Sequence, residues 1–223
     1  MKYKLKWYFD HVNVIQYIKW NYFSSNMQRD KETFFYPMKG TKLNIDRSAH
    51  IELHGDLYIG NNLFKGSKRE TYIMLMKDSR LVINGEVKLN YGTFLQAHPK
   101  AVIQIGSSTI NTDSIIIAQK EITIGNDVLM GRMVTVFDSD FHPVYDENGN
   151  RLNPSRKVEI GDHVWIGIKS TILKGTKIKS GAVISANALV GGIVKANAIY
   201  SALPGQTFGT VSWGKRKESE MEK

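Results

Sequence analysis

The chain has 223 residues, of which 42% are hydrophobic and 23% charged, a composition typical of an ordered globular protein. It contains no cysteine, which excludes a disulfide scaffold, a cysteine-ligated metal and thiol catalysis. The net charge of +9 favours an anionic partner. Because no nucleic-acid reader motif accompanies this charge, an anionic cofactor, a polyanionic glycan or a solvated basic surface are the alternatives, and no nucleic-acid partner is expected.

The first 25 or so residues are predicted to form an amphipathic helix. Apolar side chains recur there at helical spacing, at Leu5, Tyr8, Phe9, Val12, Ile15, Ile18 and Tyr22. The helix could pack on the rest of the protein or on another subunit, or its basic, aromatic surface could contact a membrane. The stretch has no long apolar run and no small-residue cleavage site, so we expect no signal peptide or membrane span. A cytoplasmic, alternatively membrane-associated, protein is the expectation.

The clearest pattern is a six-residue period over 160–195, which reads IGDHVW, IGIKST, ILKGTK, IKSGAV, ISANAL and VGGIVK. Every first position is Ile or Val, and every fifth position is small or β-branched. This period fits neither a helix nor a single half-buried strand, and it is typical of a solenoid in which each hexad forms one short flat side. The sequence therefore predicts an all-β fold, a parallel β-helix whose first and fifth positions face a narrow interior.

The remaining segments set the predicted domain boundaries. An N-terminal helix and connection occupy 1–42, the β-helix occupies 43–205, and a charged tail occupies 206–223. Weaker repeats begin near Leu43, and 59–70 breaks the period as a turn and loop. The period is interrupted again at 137–159, a segment rich in turn signals that is predicted to be an excursion from one corner of the coil.

This excursion is the part of the array where function is expected, and it carries a histidine. His142 has a side chain that can exchange a proton near neutral pH, and either Asp138 or Asp140 could orient its ring. The alternative is a surface histidine in a polar loop. A zinc site is disfavoured because His142 has only Glu147 as a nearby candidate ligand, so no metal is expected. The other histidines are interpreted as turn, coil or helix residues: His11, His50, His54, His98 and His163.

The segment SDFHPVYD, followed by VEIGDHVWIGIKSTILKGTKIKSGAVISANALVGG, resembles the hexapeptide-repeat acyltransferases. The likeness is to galactoside and maltose acetyltransferases and to bacterial capsule and lipopolysaccharide O-acetyltransferases, and it covers roughly 105–205. It implies a left-handed parallel β-helix and a homotrimer with active sites between neighbouring subunits. It also implies acetyl-CoA as the donor cosubstrate.

The resemblance also implies roles for individual residues. His142, which is followed by Pro143, matches the family's catalytic histidine, which deprotonates the acceptor hydroxyl for direct attack on the thioester. Asn111 matches the active-site asparagine, whose amide N–H would stabilise the developing oxyanion. A turn-forming asparagine is the alternative for Asn111. With Asp140 as the orienting carboxylate, these residues make up the predicted catalytic set.

The matching positions for coenzyme A lie along the regular coils. The cofactor-binding residues implied are Trp165, Gly167, Ile168, Ser185, Ala186 and Lys195. Trp165 would form an apolar wall, and subunit packing is its alternative role. The sequence departs from the family pattern at Ile168, where Ser or Ala is common, and at Gly191 and Gly192, where a Thr-Lys pair is common. We therefore expect Lys195 or basic residues near the C-terminus to meet the phosphates.

Three functions follow as hypotheses. The first is an O-acetyltransferase acting on a hydroxyl of a sugar or surface polysaccharide. The second is an acetyltransferase acting on an amino sugar or a small xenobiotic, and the third is a non-catalytic β-helix used as a scaffold or binding module.

Overall fold

The chain winds as a parallel β-helix with three flat faces around one apolar interior. The structure is a computed structural model that describes residues 10–61 and 69–201, and the backbone of 207–210. Face 1 contains Met27–Arg29, His50–Leu53, Glu121–Ile124, Val158–Ile160, Lys177–Ile178 and Ile193–Val194. Face 2 contains Phe35–Pro37, Leu57–Asn61, Val128–Met130, Trp165–Ile166, Val183–Ile184 and Ala198–Tyr200. Face 3 contains Thr41–Ile45, Thr71–Leu75, Phe94–Ala97, Ile115–Ala118, Thr135–Phe137, Thr171–Ile172 and Leu189–Val190.

Each coil passes from face 1 to face 2 to face 3, and the chain then continues into face 1 of the next coil. Two long strands, Arg80–Asn90 and Val102–Ile110, run round the corner from face 1 to face 2. Equivalent residues of successive coils are directly paired, as Leu129 is with Trp165 and Trp165 with Val183. Corner residues of consecutive coils therefore form columns along the solenoid axis.

The predicted inward positions of the hexads at 160–195 are confirmed. The first positions are at most 2% exposed, at Ile160, Ile166, Ile172, Ile178, Ile184 and Val190. The fifth positions are at most 1% exposed, at Val164, Ser170, Thr176, Ala182, Ala188 and Val194. Stacking of these side chains removes a continuous apolar strip from water, which is the main stabilising term for a solenoid.

The corners require a left-handed backbone conformation at one position per hexad. The fourth position has positive φ in five of the six hexads, at His163, Lys169, Gly175, Gly181 and Asn187. Gly and Asn adopt this region readily, whereas His and Lys do so at a cost that the packed neighbouring coils must offset. The turn prediction for His163 is thus confirmed.

Parallel strands of the solenoid occur ahead of residue 43, and the helical stretch near the N-terminus is interrupted. The strands Met27–Arg29 and Phe35–Pro37 already pair in parallel with the next coil, ahead of residue 43. Among the described residues, 10–11, Val14–Ile18 and a π-helix at Lys19–Phe23 are helical. The chain breaks helical geometry at Val12, which pairs with Met38, and restarts at Asn13, whose side chain caps the N–H of Gln16.

The expected apolar side of this helix is only partly used for packing. Val12 and Trp20 are buried, whereas Ile15 is 82% exposed and Phe23 79% exposed. Leu5, Tyr8 and Phe9 lie outside the described residues. No helix in the described part of the chain is long and apolar enough to cross a membrane.

The last described strand, Thr207–Thr210, runs antiparallel to Ala198–Tyr200 and lies within the segment predicted as a tail.

The outer surfaces of faces 1 and 3 differ in chemistry. Ion pairs between neighbouring coils cover face 1, including Arg80–Glu52, Lys157–Glu121 and Lys177–Glu159. Outward side chains on face 3 include seven apolar ones, at Tyr72, Met74, Phe94, Ile115, Ile117, Phe137 and Leu189, beside the polar Lys42, Asn44, Gln96, Thr135 and Thr171. Face 1 therefore presents rows of charged side chains, whereas face 3 presents more apolar surface.

Candidate active site

The excursion leaves the coil at the corner between faces 3 and 1. Asp138, near its start, is held at this corner by its carboxylate. The Asp138 carboxylate is completely buried and accepts backbone N–H groups of Gln119, Lys120 and Glu121 at 2.6–2.7 Å. Burial raises the pKa of this carboxyl, against the opposing effect of the three N–H donors. Since both oxygens are directed at the preceding corner, Asp138 supports the coil and is not aimed at His142.

The neck of the excursion is held by hydroxyl groups and by Phe141. Ser139 donates to Gln119 at 2.7 Å, and Ser155 on the returning arm donates to Ser139 at 3.0 Å. Phe141 has a φ of +62° and packs against His98 and Phe137, each with a ring-centroid distance of 5.6 Å. An aromatic residue in this conformation is strained, and its packing indicates that the neck is a fixed structure.

His142 follows directly and is exposed, with its backbone tied down on both sides. Its N–H donates to the carbonyl of Asp140 at 2.7 Å, and its own carbonyl accepts from Nδ2 of Asn153 at 2.8 Å. Asn153 also accepts the N–H of Val144 at 2.7 Å, so one amide joins the outgoing and returning arms. Sequence reasoning missed this role, because the Asn-Pro-Ser run that contains Asn153 signals only a turn.

Asp140 has partners other than the His142 ring. Its carboxylate accepts from Nδ2 of Asn153 at 2.9 Å and from the ammonium group of Lys174, which belongs to the next coil. The hydrogen bond from Lys174 holds the pKa of the Asp140 carboxyl below its ordinary value. In the described part of the chain, no hydrogen bond to the His142 ring is found. Asp140 as the orienter of His142 stays a prediction, and in this chain the carboxylate ties the excursion to the coil at Lys174.

Asn111 lies at the corner between faces 2 and 3, immediately after Val102–Ile110. Its Nδ2 donates to the carbonyl of Met130 at 2.8 Å, and its Oδ1 accepts from Nδ2 of Asn90 at 2.9 Å. The side chain is half-buried, and its amide plane is fixed by these two bonds.

One copy of the chain does not bring Asn111 and His142 together. Asn111 precedes the strand Ile115–Ala118 and so lies at the starting edge of face 3. The excursion follows the strand Thr135–Phe137 and so lies at the finishing edge of that face. The two predicted catalytic groups flank the apolar face 3 from opposite sides.

Four of the predicted cofactor residues form one column at the corner between faces 2 and 3. Gly167 and Ile168 of one coil lie directly against Ser185 and Ala186 of the next, and a Cβ at Gly167 would come within 2.5 Å of the Ala186 nitrogen. The glycine is thus required for coil stacking, a reason independent of any ligand. The backbone N–H groups of Ile168 and Ala186 make no hydrogen bond within the described residues.

Trp165 and Lys195 lie away from this column. Trp165 projects outward from face 2 and is 43% exposed. Lys195 is exposed at the corner between faces 1 and 2, so in a single chain it does not join the other predicted cofactor residues.

Asp127 and His163 form a pair at the corner between faces 1 and 2. Asp127 Oδ2 and His163 Nδ1 are 2.5 Å apart, and both residues have positive φ. No group of three or more side chains suited to holding a metal ion occurs among residues 10–61 and 69–201.

Comparison with known proteins shows that the six-residue repeat matches a transferase family model. Residues 157–192 match the family model described as bacterial transferase hexapeptide (six repeats). The chain is 34% identical over 125 residues to a polysialic acid O-acetyltransferase of Neisseria meningitidis. The aligned region covers 55% of this chain and 57% of that protein. In five such matches the chain spans 32–63% of the length of the curated relative.

Solved structures share the fold over most of the chain. A polysialic acid O-acetyltransferase aligns over 88% of this chain and 93% of its own, with a TM-score of 0.54 and 22% identity. An N-acyltransferase from Bacillus cereus, in complex with a dTDP-amino sugar and coenzyme A, aligns over 96% of this chain and 95% of its own, with a TM-score of 0.59 and 16% identity. The chain thus carries bacterial transferase hexapeptide repeats on a left-handed parallel β-helix, and its predicted resemblance to hexapeptide-repeat acyltransferases is confirmed.

Proposed function

We propose that this protein is an acetyltransferase that moves an acetyl group from acetyl-CoA to a hydroxyl of a sugar or surface polysaccharide. The observation that carries the proposal is the rigid presentation of His142. Its backbone is held by Asp140 and Asn153 while its ring is exposed beside coils of the bacterial transferase hexapeptide type. The names of the relatives, among them the polysialic acid O-acetyltransferase of Neisseria meningitidis, support the same class of reaction.

The chemistry needs one group that exchanges a proton and one that binds an oxyanion. The His142 ring takes the proton from the acceptor hydroxyl while that oxygen attacks the thioester carbonyl. The tetrahedral intermediate carries negative charge on the former carbonyl oxygen, which the Asn111 amide N–H stabilises. When the C–S bond breaks, the proton on His142 passes to the departing CoA thiolate, which leaves an O-acetyl ester and free CoA. No covalent acyl-enzyme is needed, in agreement with the absence of cysteine.

In the proposed complex, acetyl-CoA lies along the corner between faces 2 and 3. The N–H groups of Ile168 and Ala186 lie one coil apart on this corner and could pair with the carbonyl groups of the pantetheine arm. Arg132 and Lys169 are exposed basic residues of the same corner and could meet the phosphates. Lys195 could do so only from a different corner or from a neighbouring copy.

A homotrimer would complete the site. In a three-fold ring the same two patches of each copy meet, one patch from each neighbour. If the apolar face 3 of each copy turns toward the common axis, its finishing edge, with His142, comes to the starting edge of the next copy, with Asn111. Burial of the apolar side chains of face 3 would supply the association energy, about 25 cal/mol for each Å² of apolar surface. The short helices near the N-terminus, with Ile15 and Phe23 exposed, remain a proposed contact with a membrane surface or a further subunit.

A product assay with radiolabelled acetyl-CoA tests the proposal. The acceptors are polysialic acid oligomers, simple galactosides, lipopolysaccharide fragments and an amino sugar, each with the purified full chain. Label in a glycan that mild base removes identifies an O-acetyl ester, whereas base-stable label identifies an amide and the amino-sugar alternative. Absence of transfer to every acceptor, together with absence of acetyl-CoA binding by calorimetry, would favour the non-catalytic scaffold.

A further inference from the structure

Three asparagines form a hydrogen-bonded ladder that ends at the predicted oxyanion donor. Asn61, Asn90 and Asn111 occupy the same position in three successive coils, at the corner between faces 2 and 3. Nδ2 of Asn61 lies 3.4 Å from Oδ1 of Asn90, Nδ2 of Asn90 donates to Oδ1 of Asn111 at 2.9 Å, and Nδ2 of Asn111 donates to the Met130 carbonyl at 2.8 Å. Nothing in the proposed chemistry requires the first two of these residues, so the ladder needs its own explanation.

The Met130 carbonyl at the end of the ladder determines which way round each asparagine amide is oriented. A backbone carbonyl can only accept, so the group that Asn111 presents to Met130 must be its NH₂. The Asn111 oxygen then faces the preceding coil, where it needs a donor, and Nδ2 of Asn90 supplies one. A flipped Asn111 would place its oxygen against the Met130 carbonyl and its NH₂ against that of Asn90, two repulsive contacts at once.

The fixed amide leaves one N–H of Asn111 unused within the ladder. In a primary amide the hydrogen opposite the oxygen continues the line of the stack, and the other hydrogen points sideways, away from the residue's own backbone. Asn111 is half-buried while Asn90 is only 4% exposed. Within the ladder, a ligand can therefore reach the amide of Asn111 but not that of Asn90. The sideways N–H is the one available to an oxyanion.

We propose that Asn90 is a positioning residue that locks the Asn111 amide with an N–H directed at the reacting thioester oxygen. This inference rests on the proposed function, in which Asn111 stabilises the oxyanion. Asn90 itself does not contact the substrate: it acts through the hydrogen bond to Asn111, and its burial keeps water from competing for that bond. Preorganised donors of this kind need no reorganisation when charge develops.

The test is a mutant cycle with a matched control one coil earlier. Asn90→Leu keeps the approximate shape and removes the donor, Asn61→Leu makes the same change at the more distant position, and Asn111→Ala removes the oxyanion donor. Turnover is followed as CoA thiol release from acetyl-CoA with polysialic acid oligomers, or with a galactoside if the oligomers are not turned over.

Removing one oxyanion donor costs roughly 10²–10³ in kcat, and we expect Asn111→Ala to fall in this range and Asn90→Leu to lose about tenfold. The KM for acetyl-CoA should change less than about twofold for Asn90→Leu, because Asn90 is buried and lies three coils before Gly167 along this corner. Asn61→Leu should stay within about threefold of wild-type kcat.

The double variant separates positioning from general stability. If Asn90 acts through Asn111, Asn90→Leu with Asn111→Ala should be no slower than Asn111→Ala alone. A purely structural role predicts that the tenfold loss persists in the Asn111→Ala background, and this result would overturn the inference. Full activity of Asn90→Leu beside an impaired Asn111→Ala would also overturn it, whereas full activity of Asn111→Ala would reject the proposed role of Asn111 instead. Should Asn90→Leu fold poorly, Asn90→Ser keeps a donor at smaller volume, and rates are referred to the number of acetyl-CoA sites measured by calorimetry.

Discussion

Asn153 holds His142 by its backbone: the Asn153 Nδ2 group donates to the His142 carbonyl at 2.8 Å and to Asp140 Oδ2 at 2.9 Å. The two residues are eleven positions apart on opposite arms of the excursion, so one amide sets where the imidazole can reach. Asn153→Ala removes these bonds and should lower kcat by about ten- to a hundredfold, since small displacements of a catalytic group cost that much. Steady-state kinetics would measure the effect.

Asn150→Ala is the matched control for this change. Asn150 lies on the same excursion and its side chain donates to Asp146, in a local turn away from His142. We expect near wild-type kcat for Asn150→Ala. Equal losses for the two variants would mean that the excursion as a whole, and not the link to His142, determines the rate.

His142→Ala is expected to lower kcat with a glycan acceptor by about 10²–10⁴-fold, the usual contribution of a general base. Binding of acetyl-CoA, followed by calorimetry, should change little because the proposed contacts to the cofactor come from Gly167, Ile168, Ser185 and Ala186 and not from the His142 ring. His163→Ala is the control, since His163 is a histidine at a coil corner that is paired with Asp127. If transfer survives His142→Ala, or if His163→Ala is the more damaging change, the proposed base is wrong.

The hexads were predictable because each inward position obeys a local rule. At Ile160 or Ile166 the interior admits only an aliphatic side chain, so the period is visible in the sequence, and these residues are buried as predicted. The start of the solenoid at Met27 could not be read in the same way. Its first strands have only three residues each and are covered by Trp20 and Tyr17, so aromatic packing replaces the hexad pattern there.

The site was only partly predictable for a related reason. His142 stands out because it interrupts the repeat, whereas Asn153, Lys174 and Asn90 act through contacts between arms or between coils. Those contacts depend on which residues the winding places side by side, information that a single sequence does not display. Asp138 illustrates the same limit: two positions from Asp140, it has the opposite environment, buried against three backbone N–H groups.

Asp138→Asn should destabilise the fold without direct damage to the chemistry. The buried carboxylate accepts three N–H groups, and an amide offers one oxygen and an NH₂ group that faces other donors. The expected loss in the free energy of unfolding is about 1–3 kcal/mol, the cost of leaving buried polar groups unpaired. Chemical denaturation would measure it against Asp140→Asn, where the carboxylate is solvent-exposed and a smaller change is expected. Equal destabilisation by the two changes would contradict the assigned role of Asp138.

The Asp140–Lys174 contact should give the excursion a dependence on acid pH. Because Lys174 holds the pKa of Asp140 below the ordinary value of 3.8, the carboxylate stabilises the excursion fully above that pH. This contribution is lost as the pH falls through the lower folded-state pKa. Lys174→Met removes the contact at every pH, so the excursion should already be released at a pH where wild type still holds it.

Pepsin cleavage between pH 2 and 5, with cut sites located by mass spectrometry, measures that release. Cuts near Phe141 and Leu152 should appear at higher pH in Lys174→Met than in wild type. Lys169→Met is the control, because it removes an exposed lysine from a different corner. Indistinguishable pH profiles for wild type and Lys174→Met would show that the contact does not hold the excursion.

Gly167→Ala tests whether the glycine of the cofactor column serves the fold. Its Cβ would lie 2.5 Å from the Ala186 nitrogen and 2.8 Å from the Ile184 carbonyl oxygen, so the next coil would have to move away. Overpacking of this kind costs about 1–3 kcal/mol, which denaturant unfolding would detect as a lower midpoint. Gly191→Ala is the matched control, since its Cβ meets only the Leu173 Cδ1 atom at 3.9 Å and its φ is not positive. A contradicting outcome is a Gly167→Ala protein that is as stable as Gly191→Ala but binds acetyl-CoA more weakly. The coils would then have tolerated the methyl group and only the cofactor would have been excluded, so the glycine would serve ligand binding and not the fold.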